Sequence, residues 1–254
     1  MGIAGDRLKR PSSPSVPTHV AIVMDGNGRW ARNHGLSRIE GHRAGTENVR
    51  QVTETLAEHG VKHLTLFAFS TENWNRSSSE VRGLFRVLAE AIDSETQSLH
   101  EKGAKLCHLG RLDRLPKRLQ DKVREAIKLT DKNTRITLNI AFDYGGRDDI
   151  ISAVSRIVQE GISPPAIDEN LFAQHLYTAG LPDPDLIIRT GGEMRISNFL
   201  IWQSAYSELY FTDVLWPDFN KDEVEKALGS YSKRERRFGR RVGGGRRSRG
   251  QDGG

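Results

Sequence analysis

Short, almost unbroken apolar runs alternate along this chain with longer amphipathic stretches, and that alternation leaves few folds open. The runs lie at 19–24, 62–69 ("KHLTLFAF"), 104–109, 135–142 ("RITLNIAF") and 185–188 ("DLII"). They are short and apolar on both faces, the pattern of parallel strands covered on each side. Helical periodicity fills 43–59, 79–102, 114–130, 147–160, 168–179 and 221–236. Gly60 and Gly103 follow two of these stretches as C-caps. Ser78 or Ser79 can cap the 79–102 helix, with Glu80 in its first turn, and Asp168 precedes "ENLFAQHL" as an N-cap. Strands alternating with helices imply a single α/β domain with right-handed crossovers. A length of 254 residues, 36% of them hydrophobic, suffices for one core.

Residues 1–17 read as a flexible leader, 18–239 as the folded domain, and the Gly/Arg-rich 240–254 as a disordered tail. No run of 18 apolar residues and no secretory leader occur, so a cytoplasmic protein is expected. The single Cys107 excludes an intrachain disulfide and a zinc cluster, and its setting in "AKLCHLG" is that of a packed strand residue. The net charge of +5 points to anionic partners, although much of the excess sits in the tail after Arg234.

In open α/β sheets, ligands gather where strand C-termini meet their loops. Strand one ends in Met24-Asp25-Gly26-Asn27-Gly28-Arg29-Trp30, and strand two in Ser70-Thr71-Glu72-Asn73-Trp74-Asn75-Arg76. Strand four ends in Asp143-Tyr144-Gly145-Gly146-Arg147, and strand five runs into Arg189-Thr190-Gly191-Gly192-Glu193-Met194-Arg195-Ile196-Ser197-Asn198. Glycines let backbone approach phosphate oxygens, and guanidinium forks bind them bidentately. Four such loops on one sheet edge read as a diphosphate site.

Gly26-x-Gly28-x-x-Ala31 also echoes a dinucleotide fingerprint. Asp25 then sets a negative charge where a pyrophosphate should lie, and Glu47, at the right distance, falls inside a helix rather than at a strand end. A metal-diphosphate site is the better reading. An Asp at a strand end can hold Mg²⁺, with Arg29, Arg38 and His42 as the cationic clamp.

The stretches "HVAIVMDGNGRWA", "GHRAGTENV", "LTLFAFSTENWNR", "LNIAFDYGGRDDI", "IRTGGEMRISNFLIWQ" and "AYSELYFTDVLWPDF" closely resemble the cis-prenyltransferases, and among them the bacterial undecaprenyl diphosphate synthases. The similarity runs from about His19 to Gly239. It implies an α/β fold of one domain: a central, mostly parallel six-stranded sheet with flanking helices and a hydrophobic tunnel. It also implies a homodimer, and a reaction that adds isopentenyl diphosphate to an allylic diphosphate such as farnesyl diphosphate with cis geometry. In a bacterium the expected product is undecaprenyl diphosphate, the lipid carrier of cell-wall synthesis.

By the same resemblance, Asp25 is the Mg²⁺-binding and catalytic aspartate. Gly26, Asn27, Gly28, Arg29, Arg38 and His42 hold the allylic diphosphate, with Trp30 beside them. Arg189, Arg195 and Ser197, with Ile196 between the last two, hold isopentenyl diphosphate. Ser70, Thr71, Glu72, Asn73, Trp74 and Arg76, with Glu80, form the loop and helix start that bring the substrates together, and Asn73 is a catalytic candidate. Glu208 matches an acid that holds metal near the second diphosphate. Arg237-Phe238-Gly239 matches an element reaching the partner's site. Ala68, Ala104, Ile136 and Trp216 match the tunnel wall or its closed end.

Val81, Leu84, Phe85, Leu88, Ile92 and Leu99 recur at helical spacing on 79–102. Most of this stripe is expected to face the core, and part of it to line the tunnel. Met194 stands where some relatives carry His, and a thioether does not serve a hard Mg²⁺. The basic tail could touch anionic lipid or remain solvated. No row of stacking aromatics suggests nucleic acid. A short- or medium-chain synthase and a non-catalytic partner subunit are the alternatives. The retained Asp25, Arg29, Arg38, Arg189 and Arg195 argue against the latter.

Overall fold

The computed structural model describes residues 16–233. Six strands, β1 (His19–Val23), β2 (His63–Ser70), β3 (Ala104–Leu109), β4 (Ile136–Tyr144), β5 (Leu186–Arg189) and β6 (Glu208–Phe211), form one sheet in the order β3-β4-β2-β1-β5-β6. Every pairing is parallel. All of β1 is buried, as its unbroken apolar run requires. Val23 stands level with Phe67 on β2 and Arg189 on β5, so the three central strands deliver their loops to one edge. The five apolar runs are all strands. The sixth strand, "ELYF", is too short and too exposed to stand out in the sequence.

The helices are α1 (Asn27–Asn33), α2 (Arg38–Glu58), α3 (Ser78–Glu101), α4 (Lys117–Thr130), α5 (Gly146–Gln159), α6 (Glu169–Gln174) and α7 (Lys221–Ser232). Several differ from their sequence bounds for local reasons. Helix α2 starts at Arg38, ahead of the expected 43, because Ser37 and Glu40 form a reciprocal capping box. Helix α3 is capped by Ser77, whose hydroxyl accepts from the Glu80 N–H, one residue before the expected cap. Helix α4 begins after Pro116. Helix α6 is a short remnant of 168–179, and Asp168 caps it through Leu171 N–H at 2.8 Å. Helix α1 was not expected at all: it has seven residues, and two glycines flank its start. Of the leader 1–17, residues 1–15 lie outside the described residues, as do the tail and Arg237-Phe238-Gly239; Val16 packs against the main core and Pro17 is buried, so its last two residues are part of the fold.

Close contact between α1 and α2 rests on glycine. A Cβ at Gly41 would stand 2.2 Å from the Asn27 carbonyl oxygen, and one at Gly45 would stand 2.1 Å from Asn27 Oδ1. The main core joins Ile22, Leu56, Leu66, Leu138 and Ile188 to Trp216 and Phe219. Cys107 is half-buried on β3, and burial pushes its thiol up.

A cavity of about 720 Å³ lies between α2, α3 and the β2–β4–β3 side of the sheet. Its apolar walls include Val49, Leu84, Leu88, Ile92, Leu106 and Ile140. The α2–α3 seam beside it is joined by charge: Arg38–Glu80 at 3.1 Å, Arg43–Glu90 at 2.8 Å, Arg50–Glu95 at 3.5 Å, and Glu54–Lys102. On β2, the pairing with β4 jumps from Phe67–Ala141 to Phe69–Phe142. Ala68 is therefore the extra residue of a bulge, and it is exposed only because it faces this cavity.

Candidate active site

The cavity opens where β1 and β5 end. Asp25 lines its mouth, and Arg189 donates to Asp25 Oδ2 at 2.9 Å. Arg29 stands 3.6 Å from Asp25 Oδ1 and donates to the Gly191 carbonyl. The backbone beneath is tightly tied: Asp25 O accepts from Thr190 Oγ1 at 2.7 Å and from Trp216 N at 3.0 Å. Gly26 has φ 112° and packs on Leu215, where a Cβ would come within 2.9 Å. Gly191, at φ 83°, lies against Arg29 and the Asp25 backbone. Only glycine fits either position without strain.

Arg189 is only 5% exposed and also donates to the Arg195 carbonyl and to Ser197 Oγ. One guanidinium therefore ties the β1 carboxylate to the loop after β5. Ser197 and Asn198 both have positive φ, 50° and 62°. Asn198 takes the Arg147 N–H at 2.9 Å and donates to Glu72 at 2.6 Å, linking the first turn of α5 to the segments after β5 and β2. Its role was not read from the sequence, although an amide that tolerates the left-handed region after a glycine-rich turn is the available signal.

Across the mouth, Glu80 Oε1 accepts from both Arg38 (3.1 Å) and Arg76 (3.0 Å). Desolvation works against this carboxylate, but the two arginines outweigh it and keep its carboxyl below the usual range. His42 lies between these groups. Burial, then the Arg76 charge, lowers its pKa to about 4, against a smaller opposing pull from Glu80. The imidazole is neutral at pH 7, and the net positive charge of the rim comes from arginine.

The structure brings Asp25, Asn27, His42, Ser70, Glu72, Asn73, Arg76, Arg195 and Ser197 to one cavity, with Ala68 and Trp216 on its wall. A Cβ at Gly28 would stand 3.5 Å from Arg38 Nε, so this glycine lies beside the Arg38 side chain behind the rim. Other expected site residues stand elsewhere. Trp30 faces away, donating to Asp218 at 2.8 Å and stacking on His34. Trp74 turns from the cavity to Asp143. Thr71 packs against Gly145, and Ile196 sits outside the lining. Arg147 is exposed, so the loop after β4 braces the site rather than adding a cation to it. Ala104 and Ile136 are paired first residues of β3 and β4, buried in the core two positions below Leu106 and Leu138, which do line the cavity.

Glu208 is the first residue of β6, paired with Leu186 at the start of β5. Asp25 follows the other end of the sheet, so one chain does not bring these two carboxylates together. Among the described residues no three His, Cys, Asp or Glu side chains converge to hold a metal. Met194 is 79% exposed and contributes nothing to the mouth. Of the stripe on α3, Leu84, Leu88, Ile92 and Leu99 line the cavity, while Val81 and Phe85 pack in the core. The lining share is larger than expected.

A family model described as "Putative undecaprenyl diphosphate synthase" matches residues 23–239. The chain is 51% identical over 228 residues to an isoprenyl transferase of Aquifex aeolicus, covering 90% of this chain and 98% of that one. It is 52% identical over 227 residues to a ditrans,polycis-undecaprenyl-diphosphate synthase, (2E,6E)-farnesyl-diphosphate specific, of Pectobacterium atrosepticum, covering 88% and 90%. Among solved structures, lavandulyl diphosphate synthase from Lavandula x intermedia in complex with dimethylallyl diphosphate matches with TM-score 0.85 and 39% identity, over 89% of this chain and 99% of that one. A probable undecaprenyl diphosphate synthase from Campylobacter jejuni matches with TM-score 0.75 and 32% identity, over 88% and 99%.

Proposed function

This chain belongs to the undecaprenyl diphosphate synthase family of cis-prenyltransferases, and on that premise we propose that it condenses isopentenyl diphosphate units onto farnesyl diphosphate to make a long cis-polyprenyl diphosphate, of undecaprenyl length. The observation that carries this reading is the union of an arginine-rimmed mouth with a deep apolar void of about 720 Å³. The mouth suits two diphosphates. The void suits a hydrocarbon that grows, since each buried methylene contributes about 0.8 kcal/mol.

Each cycle breaks the allylic C–O bond, joins the freed carbon to the terminal carbon of isopentenyl diphosphate, and releases a proton and one diphosphate. Arg38, Arg76 and neutral His42 face the allylic diphosphate, and Arg195 and Ser197 face the other. Arg189 is spent on Asp25, Ser197 and the Arg195 carbonyl, so it orients those groups. Charges fixed in this way stabilise the departing diphosphate without reorganising. The released proton goes to Asp25 or to the released diphosphate itself, while Asn73, at the rim between the two sides, can orient substrate through its amide N–H.

Enzymes of this family use a divalent cation, and we assign it as Mg²⁺ at Asp25. The donor set fits: one carboxylate open to the cavity suits an ion that keeps water and substrate oxygens as its other ligands. Held by Asp25, such an ion would supply charge stabilisation to the leaving diphosphate. Glu208 is too far along the sheet to share that ion within one chain.

The protein is proposed to act as a homodimer. Helix α5 supports this reading, since it leaves Ile151 (66% exposed), Val154 and Val158 (71%) uncovered at one-turn and two-turn spacing. A cytoplasmic location with peripheral lipid contact through the basic tail completes the proposal. Among the described residues no helix is long and apolar enough to cross a membrane. The test is incubation of the purified chain with labelled isopentenyl diphosphate, farnesyl diphosphate and Mg²⁺, with and without chelator, followed by sizing of the dephosphorylated lipid. A chelator-sensitive polyprenyl ladder is expected. No incorporation from any allylic starter would overturn the proposal and leave the chain as a partner subunit.

A further inference from the structure

The turn at Thr71–Asn75, between β2 and α3, carries Asn73 into the cavity but sends Trp74 the other way. Trp74 Nε1 donates to Asp143 Oδ1 at 2.7 Å. Asp143 is fully buried. Its second oxygen lacks a hydrogen bond and meets Arg114 Nε at 3.4 Å. The Arg114 guanidinium covers the Trp74 ring, 4.5 Å from its centroid. The indole edge also packs on Phe69 and Phe85.

Asp143 is held in an unusual backbone state. Its φ is +52°, uncommon for a residue other than glycine. Its carbonyl accepts from Arg111 N at 3.1 Å, and Gly110 approaches so closely that a Cβ there would come within 2.6 Å of the same oxygen. Burying a carboxylate in this conformation is costly, and costs of this kind gather at sites that must hold a fixed geometry. The acid touches no group of the cavity mouth. Its indole partner is the neighbour of Asn73 and lies two residues before Arg76.

Resting on the prenyltransferase reading above, we propose that Asp143 and Arg114 are positioning residues that clamp the Trp74 indole and so hold Asn73 and Arg76 at the cavity mouth. The clamp follows the sheet order β3-β4-β2: Arg114 comes from the loop after β3, Asp143 from the C-terminal end of β4 and Trp74 from the turn after β2. It fixes the rim on the side away from Asp25. Releasing it loosens the 71–76 turn, which then keeps only its bonds through Glu72, Asn73 and Arg76, and leaves the Asp25 side in place.

The test compares Asp143→Ala, Asp143→Asn, Trp74→Phe and the Asp143→Ala/Trp74→Phe pair in the full chain. Asp143→Ala is expected to lower kcat about ten- to a hundredfold, the range for losing a hydrogen bond to a charged group, with KM for farnesyl diphosphate changed by about twofold or less. Asp143→Asn keeps the acceptor for the indole and should restore kcat to within about threefold of the parent. The double variant should be no worse than Trp74→Phe alone, because both remove one linkage. The emission assigned to Trp74, by difference from Trp74→Phe, should shift red in Asp143→Ala without substrate present. Additive losses, failure of Asn to rescue, or unchanged emission would each overturn the proposal. If Asp143→Ala does not fold, Arg114→Ala serves, with a red shift and an about three- to tenfold lower kcat expected; no change in both overturns it. A parent that makes no polyprenyl product sinks the function instead, and the emission readout still judges the clamp.

Discussion

Arg189 donates to Asp25 from a strand 164 residues away, and the 2.9 Å contact fixes a carboxylate at the cavity mouth, where the proposed substrate and metal would meet it. The same guanidinium anchors Ser197 and the Arg195 carbonyl, so its loss would disturb both sides of the site. Asp25→Ala should lower the condensation rate about 10³-fold, the scale for removing a preorganised charge. It should also lower the thermal midpoint, because it leaves Arg189 buried with one partner fewer. Asp25→Asn keeps an acceptor for Arg189, so it should be as inactive but closer to parent stability. Equal midpoints for Ala and Asn would show that the pair does not help to hold the fold.

Gly45 bears directly on Asn27. A Cβ there would stand 2.1 Å from Asn27 Oδ1 and 2.8 Å from Trp216 Cδ1, against side chains held by their own hydrogen bonds. Gly45→Ala should cost about 1–3 kcal/mol by overpacking, despite the better helix propensity of Ala, and should raise KM for the allylic diphosphate. Urea unfolding and steady-state kinetics on one preparation check both. A more stable variant with parent KM would mean that α1 can slide on α2.

Ala68 occupies the bulge of β2 and points into the void. Ala68→Leu adds three carbons there without touching the main core. The expected result is a product ladder that ends earlier, with the first condensation nearly unchanged. Chromatographic sizing of the dephosphorylated lipids decides it, and a ladder of parent length would remove Ala68 from the wall that limits growth.

How much of this was legible beforehand depended on whether a signal was local. "HVAIV" and "LTLFAF" are apolar on both faces, so parallel buried strands followed directly from the letters. The loops at their C-terminal ends followed from that, and Asp25, His42, Asn73 and Arg195 do meet at one mouth. Side-chain direction was not legible. Trp30 and Trp74 sit among site residues in sequence, yet each turns to an acid elsewhere in the chain, Asp218 and Asp143. Register was not legible either: Glu208 lies at the far end of the sheet because a four-residue strand starts there. Arg76 reaches Glu80 at i,i+4 spacing, but the second partner, Arg38, comes from the packing of α2 on α3, which no spacing within either helix encodes.

His19 makes the fold sensitive to acid. Its ring is buried between Pro182 O and Thr65 Oγ1, both at 2.7 Å. Burial lowers its pKa from 6.5 to about 4, despite the opposing pull of the Pro182 carbonyl and Asp185. His42 shifts to the same value. Between about pH 4 and 6.5 these two histidines bind more protons in the unfolded chain than in the folded one, so their contribution to stability rises with pH across that window and is fully present above it. For His19 the span corresponds to about 3 kcal/mol. Urea midpoints from pH 4.5 to 7 should therefore climb, and climb less steeply in His19→Gln. The same slope in both proteins would assign the acid sensitivity to other groups.

Chelation should separate catalysis from stability. Asp25 is the mouth carboxylate to which the cation is assigned, and among the described residues no three His, Cys, Asp or Glu side chains converge to retain one without substrate. A ligand bound tightly to the folded state raises its stability, whereas one that arrives with the diphosphate does not stabilise the free protein. A chelator is therefore expected to abolish condensation while moving the thermal midpoint of the substrate-free protein by only about a degree, and added Mg²⁺ should restore the rate. Farnesyl diphosphate and Mg²⁺ together should raise the midpoint by several degrees, and that rise should be lost in Asp25→Ala. A large fall in midpoint on chelation alone would instead reveal a resident structural metal, and the assignment of the cation to Asp25 and substrate oxygens would fail.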